Sequence, residues 1–141
     1  MTHQIKDFTD NETKNLAKNI QTGKKIVSQL SKNEKITAKN LDEAFSNWAR
    51  QDNEKEFSGE DIANGLGSLF GELIKTDFSF TWKMIEDDLG TEAALVDDTT
   101  GSILFPINSV WKRIEPKILQ EPFFEPMWKA IKAHIEKQKG S

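Results

Sequence analysis

The side chains that could carry chemistry are few, and their spacing suits none of the common reactions. The chain contains no cysteine and two histidines, His3 and His134. Lack of cysteine removes disulfides, thiol nucleophiles and thiolate metal sites together. His3 sits in a polar tail and His134 among lysines, neither with a His-x-x-x-His or Glu-x-x-His partner, so a zinc-hydrolase ligand set is missing. Gly65-Leu66-Gly67-Ser68 half resembles a nucleophile elbow, but it falls inside a helical pattern rather than at a strand-to-helix turn. With no Lys-Ser/Thr after it, the same segment is no phosphate loop. What remains is carboxylate. Glu86, Asp87 and Asp88, with Glu92 just beyond, flank one predicted turn, and Asp97 and Asp98 flank another. The Asp-x-Asp-x-Asp-Gly order of a calcium loop is absent, and Asp is favoured in turns for backbone reasons alone. Such edges suit docking against a positively charged surface. No catalytic residue, metal or cofactor is expected.

A second group of polar residues is Glu72, Lys112 and Arg113. Glu72 lies about 100–120° off the apolar stripe of its helix, at about 100° per residue. That places it at the core boundary, where an ion pair with Lys112 or Arg113 would orient the later helical turn. The other use of these residues is an anion or small-ligand site lined by Glu72, Trp82 and Arg113. Trp48, Phe80, Trp82, Trp111 and Trp128 read as core. Phe123-Phe124, between two prolines, reads as an exposed apolar anchor for a partner.

These residues must be held by local elements, and the first half of the chain reads helical. Thr9 with Glu12 forms a capping box ahead of the stripe Leu16, Ile20, Gly23, Val27, Leu30. Gly23 weakens that face by about 1 kcal/mol against Ala, which points to a close packing contact. Asn40 with Glu43 opens a second helix bearing Leu41, Ala44, Phe45 and Trp48. Ser58 with Asp61 opens a third, more apolar helix, expected to be central and buried. Its three glycines, Gly65, Gly67 and Gly71, cost about 2–3 kcal/mol in propensity, so a close approach, with the sheet as the expected neighbour, must compensate.

From Phe78 the period changes to two: Phe78, Phe80, Trp82 and Met84 alternate with polar residues, which predicts a half-buried strand. Turns at 87–90 and 97–101 separate it from short strands at 93–96 and 103–105. Tight turns between short strands predict an antiparallel meander of three strands, ending at Pro106. Val110, Trp111 and Ile114 predict a short helical turn. Pro116, Pro122 and Pro126 keep the next connection extended, and Pro126 opens a last helix that ends before Gly140. The expected fold class is α+β: N-terminal helices, a three-stranded antiparallel meander and a C-terminal helix.

At 141 residues the chain fits one domain, 1–141, with 1–8 as a flexible arm. Apolar residues make up only 36%, so four Trp and nine Phe must supply much of the core. The net charge is −4 and the longest basic runs, Lys24-Lys25 and Lys112-Arg113, are pairs, which argues against nucleic acid as the main ligand. No window approaches 18 apolar residues, so no membrane span is expected. The start of the chain is polar, without the apolar stretch of a secretion signal. Cytoplasmic location is the expectation.

Residues from about 65 to 115 carry the pattern Gly67-Ser68-Leu69-Phe70-Gly71-Glu72, then Trp82, then Asp88 with Gly90, then Leu104-Phe105-Pro106 and Lys112-Arg113-Ile114-Glu115. This stretch resembles a family of bacterial domains of unknown function. The resemblance implies a helix followed by a β-meander and implies no activity. Two functional expectations follow from the residues. The first is a non-enzymatic protein-binding module, in its narrower form an immunity-type inhibitor that caps a basic toxin in the cytoplasm. It would use Glu86, Asp87, Asp88, Asp97 and Asp98, or Phe123 and Phe124. The second is a small-ligand or anion-binding domain built on Glu72, Trp82 and Arg113.

Overall fold

The computed structural model of the chain describes residues 4–51, 56–114 and 122–139. The elements run β1 (Gln4–Lys6), α1 (Asp10–Leu30), α2 (Ala38–Ala49), α3 (Gly59–Phe78), β2 (Phe80–Asp87), β3 (Gly90–Asp97), β4 (Ile103–Leu104), α4 (Pro106–Ile114) and α5 (Phe124–Lys139). The fold is α+β, with one antiparallel sheet in the order β1-β2-β3-β4.

The predicted caps explain two helix starts. The Thr9 N–H donates to Glu12 Oε1 at 2.8 Å and the Glu12 N–H to Thr9 Oγ1 at 3.2 Å, closing the box at the head of α1. Ser58 and Asp61 do the same for α3. The third expected box does not form. Thr37 caps α2, accepting from the Asn40 N–H at 3.1 Å. Asn40 turns its amide to the Lys35 carbonyl, 2.6 Å away, and Glu43 accepts from the Lys32 N–H at 2.5 Å. Asn40 and Glu43 thus tie down the α1–α2 loop. Pro106 both stops β4 and opens α4, where its missing N–H is not needed. The last helix starts two residues before Pro126, which still sits in the first turn. Pro116 and Gly140 lie outside the described residues.

The sheet has four strands rather than three. Gln4–Lys6, expected within a flexible arm, pairs with β2 from Gln4 opposite Glu86 to Lys6 opposite Met84. Two ion pairs pin it, Lys6 Nζ with Glu86 at 2.6 Å and Lys83 with Asp7. The Phe8 ring follows, 6.1 Å from that of Trp82. Three exposed residues are too short a run for any period to reveal. The main hairpin joins β2 to β3, with Phe80 opposite Asp97 and Asp87 opposite Gly90. Phe78, read as the first strand residue, instead ends α3. Ser79, left-handed at φ 59° and ψ 47°, makes the switch from helix to strand. The Phe78 ring then packs on Trp128, 5.4 Å away, rather than on the sheet. β3 is longer than expected because its polar start, Thr91 and Glu92, pairs with β2 all the same.

Helix α3 is the centre of the molecule. It packs against α1, α2, α4, α5, β2 and β3, and its buried set includes Ile62, Leu66, Leu69, Phe70 and Ile74. Trp48, Phe80 and Trp82 are buried as expected, whereas Trp128 is half-buried and Trp111 is 40% exposed. The three α3 glycines mark close approaches, but only one involves the sheet. A Cβ at Gly65 would stand 2.9 Å from the backbone nitrogen of Gly23, so α1 and α3 cross glycine on glycine. On the roughly opposite side, a Cβ at Gly67 would stand 2.7 Å from Ile107 Cα of α4. A Cβ at Gly71 would stand inside contact distance of Cζ2 and Cη2 of Trp82. The helix is thus pressed between α1 and a layer made of α4 and the β2 tryptophan.

Alanine at Gly71 gains about 1 kcal/mol of helix propensity. It must also displace a buried ring, a cost of about 1–3 kcal/mol or more for a well-packed site. The ring is held by its hydrogen bond to Glu72 and packed against Phe8, so the loss exceeds the gain. Gly71→Ala is expected to lower the melting temperature by several degrees. Gly59→Ala, whose Cβ meets nothing nearer than 3.6 Å, is expected to leave it unchanged or raised. Thermal denaturation of the two variants checks this; a Gly71→Ala protein that melts with the wild type contradicts the close approach.

Candidate functional site

The acidic residues singled out in the sequence separate into two sites of different character. At one end of the β2–β3 hairpin the chain turns over Asp88 and Leu89. Asp87 Oδ1 accepts the Leu89 N–H at 2.8 Å and so shapes the turn. Leu89 is left 89% exposed. Asp88 is exposed beside it, and Glu86 is paired to Lys6. Glu92 faces this end from β3. Its carboxyl is pushed above the ordinary range, first by burial and then by the negative charge of Asp87, with Lys112 acting in the opposite sense. The tip therefore presents one apolar side chain among crowded carboxylates.

At the other end, Asp97 is not the exposed edge the sequence suggested. It is 6% exposed, accepting from the Thr99 N–H at 2.9 Å and from Thr100 Oγ1 at 2.7 Å. Burial raises its pKa, but the Thr99 and Thr100 hydrogen bonds and the nearby His134 outweigh that, and the carboxyl sits below its ordinary value. Asp97 organises its turn. Asp98 stays exposed but accepts from Thr81 Oγ1 at 2.7 Å. The two ends are separated by roughly 23 Å, seven strand steps at about 3.3 Å each.

The proposed trio of Glu72, Trp82 and Arg113 does not assemble. Glu72 Oε2 accepts from the Trp82 indole N–H at 2.8 Å, and no ion pair joins Glu72 to Lys112 or Arg113 among the described residues. A buried indole needs an acceptor, and Glu72 is placed to be it. The Arg113 guanidinium lies 4.7 Å over the Phe123 ring instead. None of the three residues lines any of five surface cavities among the described residues.

Phe123 and Phe124 are not an exposed anchor. Phe124 is fully buried, edge-on to Phe70 at 5.2 Å and Phe45 at 6.4 Å, and Phe123 packs on Phe70 at 6.4 Å. The cause is Asp42 of α2, which accepts the N–H groups of Phe123, Phe124 and Glu125 at 2.6, 2.7 and 2.9 Å. One carboxylate thus satisfies three orphan donors at the head of α5 and draws the phenylalanines inward. Sequence reasoning missed Asp42 because the cap comes from about eighty residues away. The signal was negative: α5 has no Ser, Thr, Asp or Asn ahead of Phe123 to cap it.

A cleft of about 260 Å³ between the end of α3, the β3–β4 turn and α5 is lined by Asp77, Ser79, Thr100 and Gln138, among others. Asp77 is engaged there by the Trp128 indole N–H at 2.8 Å. Among the described residues, no group of three or more His, Asp or Glu side chains could hold a metal ion. No helix among them is long and apolar enough to cross a membrane.

Residues 40–121 match the model of a domain of unknown function, DUF3806, and the chain belongs to that family. The matched segment is wider than the pattern at 65–115 and takes in nearly all of α2, all of α3, the main hairpin and α4. Comparison with curated proteins and with solved structures returns no match.

Asp97 gives a pH test. Because its folded pKa is depressed, it stabilises the fold fully above its ordinary value of 3.8 and loses that contribution as pH falls through the folded value. Asp97→Asn is expected to be less stable than wild type at pH 7, with a deficit that shrinks below about pH 3.8. Denaturant melts across that range check it; a deficit that stays constant as the carboxylate protonates contradicts the assignment.

Proposed function

Within a family whose function is unknown, we propose that this protein is a non-enzymatic protein-binding module that docks through the tip of its β2–β3 hairpin. The observation that carries the reading is Leu89, 89% exposed at a turn that also carries the exposed Asp88 and the interacting carboxylates of Asp87 and Glu92. An apolar side chain ringed by carboxylates offers a partner one contact to bury and a field to find it by. The partner that fits is a protein with a basic surface and a shallow apolar notch. In the narrower form, the module is a cytoplasmic immunity-type inhibitor capping a basic toxin. The net charge of −4 supports the same choice of partner. Asp97 plays no direct part, because its oxygens are occupied within its own turn.

Co-purification from the native host with mass spectrometry identifies the partner, and association rates then test the surface. Reversing Asp88 to Lys is expected to slow association and to flatten its dependence on salt, while the melting temperature changes little, because Asp88 is exposed and Asp87, which shapes the turn, is left in place. Leu89→Ala is expected to speed dissociation instead. Reversal of Asp98 at the far end should leave both rates alone. A partner whose kinetics ignore the tip variants and salt contradicts the proposal.

A further inference from the structure

A trough runs beside α1, meets the β2–β3 hairpin at Met84 and Ala93 rather than at its turn, and is built differently from the tip. Its lower part, about 160 Å³, is floored by Phe8, Leu16, Met84 and Ile107. Its upper part, about 390 Å³, is lined by Lys18, Thr22, Glu60, Asp61 and Asn64. Asn15 and Asn19 line both parts, so the two adjoin at these side chains. From Glu12 to Thr22 the trough follows about 15 Å of helix at about 1.5 Å per residue. That length matches four to five residues of extended chain at roughly 3.3 Å each.

Glu12 and Asp61 are engaged in their helix caps and Thr22 bonds the Lys18 carbonyl, but among the described residues the trough's three asparagine side chains are unspent. Asn33, Asn40 and Asn47 each hydrogen-bond within the fold. The side chains of Asn15, Asn19 and Asn64 make no hydrogen bond to any described residue, although Asn19 and Asn64 are half-buried. A carboxamide carries one acceptor and two donors, the complement of a peptide unit. The charges bordering the trough, Glu12, Glu60 and Asp61 against Lys18, sum to about −2 and favour a cationic occupant.

From this arrangement we infer that the trough receives an extended segment of a partner protein, with an apolar side chain in the Phe8–Leu16–Met84–Ile107 pocket. The segment's main-chain amides lie on Asn15, Asn19 and Asn64, and a lysine or arginine three residues on reaches Glu60 and Asp61. This is a second contact surface, independent of the hairpin tip.

The test titrates the ¹⁵N-labelled protein with the blocked peptide acetyl-Leu-Gly-Gly-Lys-amide and follows side-chain amide resonances. Saturable shifts at Asn15, Asn19 and Asn64 are expected, weakened by roughly fivefold or more when Lys is replaced by Glu or Leu by Gly. Asn19→Ala should weaken binding by about two- to tenfold, the range of one lost hydrogen bond, whereas Leu89→Ala should not alter it. Absence of saturable shifts, shifts confined to other surfaces, or equal binding of the Lys and Glu peptides would overturn the inference. The comparison between peptides uses the wild-type chain, so it holds even if an Asn variant folds poorly.

Discussion

Helix α3 has no room for a side chain at three of its positions, and the rest of the structure is arranged around that shortage. A helix with three interior glycines is a poor helix by propensity. It persists because each glycine admits a neighbour that a methyl group would hold off: the α1 backbone at Gly65, the α4 backbone at Gly67 and the Trp82 ring at Gly71. Bringing backbones this close lets the flanking apolar side chains pack, which offsets the propensity cost. The Trp82 contact also fixes the sheet. Its indole N–H is held by Glu72 of the same helix, so β2 is located both by packing and by a hydrogen bond.

Both proposed contact surfaces inherit their geometry from this centre. The β2–β3 hairpin is rooted by Trp82 and Phe80 and projects its far turn away from the core, where Leu89 and its carboxylates meet solvent. The trough lies along α1 on the N-terminal side of the Gly23–Gly65 crossing, and Ile107, seated on Gly67, forms part of its wall. At the other side of the molecule Asp42 does for α5 what the glycines do for α1 and α4. It lets an element with no cap of its own dock against the core through Phe124.

The parts of this fold that local chemistry determines could be read from the residues. The capping boxes at Thr9 and Ser58, the apolar stripe of α3, the two hairpin turns and the change of period at the start of the sheet all depend on neighbours within a few residues. So did the expectation that Gly23, Gly67 or Gly71 marks a close approach. What could not be read depends on distant partners. β1 forms by pairing with β2, some eighty residues away, and the Lys6–Glu86 and Lys83–Asp7 ion pairs lie across that pairing. Phe123 and Phe124 turn inward because of Asp42. Asp97 and Asp98 look alike in sequence, yet only Asp97 is drawn into its turn. Glu72 was placed correctly at the core boundary but given the wrong partner, since a buried tryptophan's need for an acceptor outweighed the attraction of a cation.

The central claim is that the Trp82 ring, specifically, forbids a side chain at residue 71. A double-mutant cycle between Gly71→Ala and Trp82→Leu measures this directly, because coupling energies isolate a contact from the separate effects of each change. With the ring trimmed, the alanine has space and its helix propensity becomes a gain. The account predicts that Gly71→Ala destabilises the wild type but is neutral or stabilising in the Trp82→Leu background. An equal penalty in both backgrounds would contradict it.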